Sequence, residues 1–142
     1  MPVFPSREWC EALVDALQRD ADAGRASLGW HGDIAAVVLA EPPLLPTSFI
    51  AYGRPMAARI EGFRVLEDLD EVEEIEPAYV ARAPYSVWRD LIRGTLDPVE
   101  AVLRKRVQFQ GDLEQVIARA QFKAMLRRSL DRVPTQFLDG RP

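Results

Sequence analysis

The sequence predicts an α+β domain, with a five-stranded, mainly antiparallel sheet covered on one face by helices. Three observations carry this. Helical patterns lie toward both ends, near residues 6–22 and 112–130. Five apolar segments of strand length lie between them. The order is helix, three strands, a crossover, a fourth strand, two short helices, a fifth strand and a long helix, which groups elements of one kind rather than alternating them. The 142 residues suit a single domain that buries a real core. We divide it into an N-terminal helix and linker (1–29), a core (30–131) and a tail (132–142).

Residues 1–5, with two prolines, read as a loose terminus. Ser6 is placed to cap a helix running to about Asp22, with Trp9, Leu13, Ala16 and Leu17 on one face and Cys10 and Val14 widening it. Gly24 and Gly29 then break the helix. Ile34–Leu39 is an unbroken apolar run, expected as a central strand buried on both faces. Three prolines between Glu41 and Pro46 oppose helix and internal strand alike. Ser48–Tyr52 is the second strand, ended by Gly53-Arg54-Pro55. Met56–Leu66 is the third, and its parity changes: Ala58 and Ile60 share one face, whereas Phe63 and Val65 fall on the other. A bulge near Gly62 would return both pairs to the core side. Glu67–Glu76 reads as an acidic connection, and Ala78–Ala83 as a fourth strand stopped by Pro84.

The stretch Pro84–Asp112 carries the clearest boundaries. Trp88, Leu91 and Ile92 form the stripe of a short helix, and Gly94 suits its left-handed end. Asp97-Pro98-Val99-Glu100 opens a second helix, with a capping Asp, Pro in the first turn and Glu three residues after the cap. Its expected buried face is Val99, Val102 and Leu103. Val107–Gln110 alternates as a fifth strand, and Gly111-Asp112 turns into the last helix. That helix changes face: Leu113, Val116, Ile117, Ala120 and Ala124 form one stripe, and Phe122, Met125, Leu126 and Leu130 another on the opposite side. A bent or broken helix meeting two parts of the molecule is expected. In the tail, Phe137-Leu138 is the segment suited to docking.

Composition narrows the function. A net charge of −4 disfavours nucleic-acid binding through a basic surface. No apolar run approaches the roughly 20 residues of a membrane span, and no secretory signal is visible. Cys10, the only cysteine, excludes an internal disulfide and fits a reducing cytoplasm; with no base partner nearby it reads as a small core residue. His31 is the only histidine and sits between glycines as a turn residue, so neither a zinc site nor a Ser–His–Asp arrangement is expected. No glycine-rich phosphate loop occurs, and the acidic run lacks the spacing of a calcium loop. No cofactor, no metal and no enzyme activity are expected. The charges are uneven, with eight acids against Arg64 from Glu61 to Glu76, and eleven bases against six acids from Arg82 to Arg132. The plain reading is two solvated faces; the sharper one is steering of anionic ligands toward a pocket mouth.

The series YSVWRDLIRGTLDPVEAVLRKRVQFQGD resembles the type-2 sterol carrier family, in which an aromatic-containing helix ends in Gly, Asp-Pro opens the next helix, and a short strand leads through Gly-Asp into the last helix. The resemblance runs from about Trp30 to Leu130. It implies a five-stranded sheet and helices enclosing an apolar tunnel, which binds fatty acids, fatty acyl-CoA, sterols or similar lipids without a cofactor or catalytic residue. The lining expected on this basis is Trp88, Leu91, Ile92, Val102, Leu103, Phe109, Ile117 and Met125, with Trp88 foremost because its bulk and N–H suit a pocket wall. The acidic connection and the long proline-rich link depart from the family pattern. The alternative is a non-enzymatic interaction or dimerising module with a filled core, for which a homodimer would use the later face of the last helix.

Overall fold

The computed structural model describes residues 1–22, 30–56 and 59–140. Gly24, Gly29, Ala58 and Pro142, which enter the expectations above, lie outside the described residues. The first helix, α1 (Arg7–Arg19), starts where Ser6 predicts, the Ser6 hydroxyl accepting the Trp9 N–H. It ends at Arg19 rather than Asp22, because the Asp20 carboxylate turns away to pair with arginines of the last helix.

The sheet comprises β1 (Ile34–Leu39), β2 (Phe49–Met56), β3 (Arg59–Leu66), β4 (Tyr79–Pro84) and β5 (Gln108–Gln110), in the order β3-β2-β1-β4-β5. Only β1 and β4 run parallel; the other three pairs are antiparallel. The apolar run Ile34–Leu39 is the central strand, as its composition demands. β2 continues through Gly53-Arg54-Pro55, which the sequence reading took as its end. Beyond Gly53, β2 pairs only with β3, so the missing N–H of Pro55 removes no bond on the β1 side. The bulge near Gly62 is present: from Tyr52 to Arg54 the register advances two residues on β2 but three on β3, from Arg64 to Glu61. Gly62 takes a φ of +64°, where a side chain would be strained. The extra residue returns Phe63 to the helix-covered side, where it packs on the core with Tyr85 and Val38.

The acidic connection is the main correction. It forms helix α2 (Leu69–Ile75), opened by a capping box in which Asp68 and Glu71 satisfy each other's end of the turn. Val72 and Ile75 face the sheet and pack with Ala35, Val37, Ile50, Leu66 and Val80. This is the side opposite the other helices, since alternation puts Ala36, Val38, Ala81 and Ala83 on the far side of the same strands. The carboxylates point outward, so a strongly acidic segment still has one apolar stripe.

On the other face, α3 (Tyr85–Arg93) and α4 (Pro98–Leu103) follow the predicted caps: Gly94 ends α3 at a φ of +82°, and the Asp97 side chain accepts the Glu100 N–H. α4 buries Ala101 rather than the expected Leu103, which is exposed. The last helix is broken, as its change of face requires, into α5 (Leu113–Ile117) and α6 (Ala120–Arg132). α6 is pinned on two sides. Arg128 bonds Asp20 and Asp22 at 3.0 Å each, and this bond with Arg128 pulls the Asp20 carboxyl down to about 2. Opposite, Lys123 meets Asp97 at 2.6 Å, and Arg127 donates to the Leu91 and Ile92 carbonyls at the end of α3.

Both ends of the described chain are tied in, contrary to the loose terminus expected for residues 1–5. Phe4 is buried against Trp9, Tyr85 and Phe137, and Val3 bridges to Gln136. The Trp9 indole donates to Thr135 at 2.9 Å, and the Leu138 N–H to the Tyr85 hydroxyl at 2.9 Å. Aromatic rings separated by most of the chain thus share one cluster, a contact that local patterns do not reveal.

Candidate functional site

The site is built on the sheet face beneath the helices. Register places Ala51 of β2, Ala36 of β1 and Ala81 of β4 side by side, flanked by Val65 of β3 and Phe109 of β5. Adjacent strands are about 4.8 Å apart, so three methyl groups form a floor about 10 Å across. These alanines occupy the three innermost strands, yet all remain partly exposed. Their neighbours on the opposite face, Ala35 and Val37, are completely buried. Among the described residues, Ala36 packs into none of the apolar clusters that fill the core.

One register step to either side the surface is filled. Val38 and Phe49 join the cluster of Trp9, Tyr85, Ile92 and Phe137. At the other end stands an aromatic group: Trp30 lies 4.9 Å from Tyr79 and 6.0 Å from Phe122, and Tyr79 lies 6.0 Å from Phe109. The Arg119 guanidinium lies 5.4 Å from the centre of the Trp30 ring. Tyr79 is held from both sides by backbone. A Cβ on Gly32 would lie 3.0 Å from its ring, and one on Gly111 2.6 Å, so both positions exclude side chains. Burial pushes the Tyr79 phenol up, which keeps it protonated, and its hydroxyl accepts the side-chain amide of Gln115.

The eight expected lining residues separate into groups. Trp88, Leu91 and Val102 come together around Ala83, Val87 and Ala101, with Ala81 in the same cluster. Trp88 also touches the central cluster and donates its indole N–H to the Val37 carbonyl at 2.9 Å, which fixes the ring beside the alanine row. Phe109 stands at the end of that row. Ile92 belongs to the filled central cluster, and Met125 packs separately with Leu17 and Phe122. Leu103 and Ile117 are 69% and 47% exposed and join none of these groups. The alanine floor and the aromatic group around Trp30 and Tyr79 were not anticipated. Strand alternation marks each alanine's face, but only register shows that they are neighbours.

The chemistry here is apolar. Cys10 is buried with its thiol pushed up to about 12 by desolvation, so it is no nucleophile at neutral pH. Among the described residues, no three of His, Cys, Asp and Glu are grouped to hold a metal ion, and no helix is long and apolar enough to cross a membrane. An open cleft of about 330 Å³ lies on the other side of the molecule, between Thr47–Ser48 and Glu67–Asp70. Its carboxylates make it unlike the alanine floor.

A five-stranded mixed sheet with an apolar, helix-covered face defines an α+β fold. Solved structures identify it. The fold matches a crystal structure of sterol carrier protein 2 with a TM-score of 0.75 and 21% identity, over 91% of this chain and 98% of that one. It matches equally, at 0.75 and 20% identity over 92% and 89%, the solution structure of a conserved hypothetical protein from Thermus thermophilus described as possibly sterol carrier protein. The sterol carrier protein domain 2 of Helicoverpa armigera follows at 0.59 and 16% identity, over 89% of each chain. The chain therefore has the sterol carrier protein 2 fold, as the sequence resemblance implied. No protein-family model and no curated protein sequence matches it.

Proposed function

We propose that this protein is a non-catalytic carrier of an apolar ligand of the fatty acid, fatty acyl-CoA or sterol class, held between the alanine row and the overlying helices. The observation that carries this reading is the partial exposure of Ala36, Ala51 and Ala81 at the centre of the sheet. In a filled core these would be its most buried positions. The sterol-carrier names of the structures sharing this fold support the same ligand class. In this reading Trp88, Leu91 and Val102 form one wall and Phe109 the end of the floor. Leu103 and Ile117, which face solvent, take no part. Affinity would come from apolar surface removed from water, about 25 cal/mol per Å² before ordering costs.

The test is native mass spectrometry of freshly purified protein, followed by calorimetric titration with a long-chain fatty acid, an acyl-CoA and a sterol. Retention of one ligand molecule per chain, or saturable binding of one class, is expected. No binding of any of the three at tens of micromolar would sink the proposal.

A further inference from the structure

The open cleft between Thr47–Ser48 and Glu67–Asp70 takes no part in the carrier reading. It forms where the proline-rich link ends and the acidic connection begins, the two segments in which the chain departs from the family pattern. Its volume of about 330 Å³ exceeds that of a leucine side chain. Ile50 and Leu69 give it an apolar base, and Glu67 and Asp70 a charged rim. Asp68 and Glu71 are engaged in the capping box of α2. The Glu67 and Asp70 carboxylates have no partner among the described residues, and none of the seven acids from Glu67 to Glu76 makes an ion pair there. On the helix-covered side, by contrast, Asp20, Asp22, Asp90, Asp97 and Glu100 are all paired. Uncompensated like charges within a turn destabilise a helix slightly, so the fold does not account for this rim.

The complement stands on the other face of the sheet. Leu103 is the most exposed large apolar side chain among the described residues, and Arg104, Lys105 and Arg106 follow it directly. α4 buries Ala101 and half-buries Val102, and its next residue is turned outward. Lys105, with a left-handed φ of +61°, turns the chain there, and its ammonium has no partner among the described residues. Arg104 pairs with Glu100 at 2.8 Å and Arg106 reaches Asp90 at 4.0 Å, both through exposed guanidinium groups that exchange partners readily. An apolar knob flanked by cations thus matches an apolar base rimmed by carboxylates. Because α2 and α4 cover opposite faces, no chain can place its own leucine in its own cleft.

We propose that this protein associates head to tail with itself, Leu103 of one copy entering the cleft of the next while Lys105 and its flanking arginines meet Glu67 and Asp70. Such a contact is heterologous and leaves one knob and one cleft free at every stage, so copies add in sequence. The interface is small and charged, which makes association weak, reversible and suppressed by salt. It does not depend on the carrier reading.

The experiment is sedimentation velocity of the full chain from about 10 μM to about 1 mM, at low salt and in about 0.5 M sodium chloride. The mean sedimentation coefficient is expected to rise with concentration at low salt and to stay at the monomer value at high salt. Lys105→Glu abolishes the rise, as does Glu67→Lys combined with Asp70→Lys, and Leu103→Ser weakens association about tenfold. These positions are all exposed, so urea unfolding of each variant matches the parent. The decisive sample mixes the Lys105→Glu variant, whose cleft is intact, with the Glu67→Lys, Asp70→Lys variant, whose basic corner is intact. Each is monomeric alone, and together they form a pair that grows no further, because only one matching contact remains. The proposal is overturned if the parent is monomeric throughout, or if either charge variant associates as the parent does. It is equally overturned if the mixture stays monomeric or builds species larger than a pair.

Discussion

Replacing Ala36 by Ile tests the carrier reading most directly, because a filled and an open sheet face respond with opposite signs. The substitution adds three carbon groups above the centre of the sheet, in a residue type that strands favour. If the space is open and apolar, burying those groups at about 0.8 kcal/mol each stabilises the fold by about 2 kcal/mol. If the face is close-packed, overpacking costs about 1–3 kcal/mol. The matched control is Ala35→Ile, one residue away on the completely buried face beneath α2, where overpacking must destabilise. The assay is urea unfolding of both variants, followed by fatty acid titration of the Ala36 variant. We expect stability at or above that of the parent for Ala36→Ile, a clear loss for Ala35→Ile, and ligand affinity reduced at least tenfold by the filled floor. Equal destabilisation of the two variants, with ligand affinity unchanged, would refute the reasoning.

Three further outcomes follow from the packing and charges. Val72→Ala removes two methyl groups from a side chain 2% exposed, and is expected to lower unfolding free energy by about 2 kcal/mol; a loss below about 0.5 kcal/mol would mean that α2 adds little to the core. Phe137→Ala should cost about 3–5 kcal/mol by denaturant unfolding, since the ring is 4% exposed and fills the junction of the two chain ends. The Asp20 carboxyl is held near 2, below its ordinary 3.8, so its stabilising contact with Arg128 is fully present above pH 4 and lost as pH falls toward 2. Asp20→Asn should therefore flatten the decline of thermal stability between pH 4 and pH 2, and an unchanged acid limb would contradict the assignment.

Element boundaries were legible in the sequence wherever one residue type dictates local geometry. Ser6, Asp97 and Asp112 accept the N–H groups their positions predict, Gly94 is left-handed, and the parity change at Gly62 marks a real bulge. α2 was missed because its composition outweighed its spacing. Leu69, Val72 and Ile75 recur every three residues, and Asp68 with Glu71 forms a capping box, but the carboxylates between them read as solvated coil. Candidate site residues were harder because periodicity gives direction and not depth. Leu103 and Ile117 lie on helical stripes, yet their helices have only six and five residues and leave those positions uncovered. The alanine floor is a property of register, which joins residues 15 and 45 positions apart and has no local signal.

The parallel pairing of β1 with β4 has a kinetic consequence. Asp33 and Ala78, whose hydrogen bond starts this pairing, are 45 residues apart, so the centre of the sheet closes a long loop while β2–β3 closes a short one. The expected order of assembly sets Ala51 beside Ala36 early, in the β1–β2 antiparallel pair, and brings Ala81 alongside only when β4 docks. Substitutions in β2 and β3 should then slow folding, whereas substitutions in β4 should mainly speed unfolding. The surface assigned to the ligand is completed last, so a molecule bound there would act as a brake on unfolding.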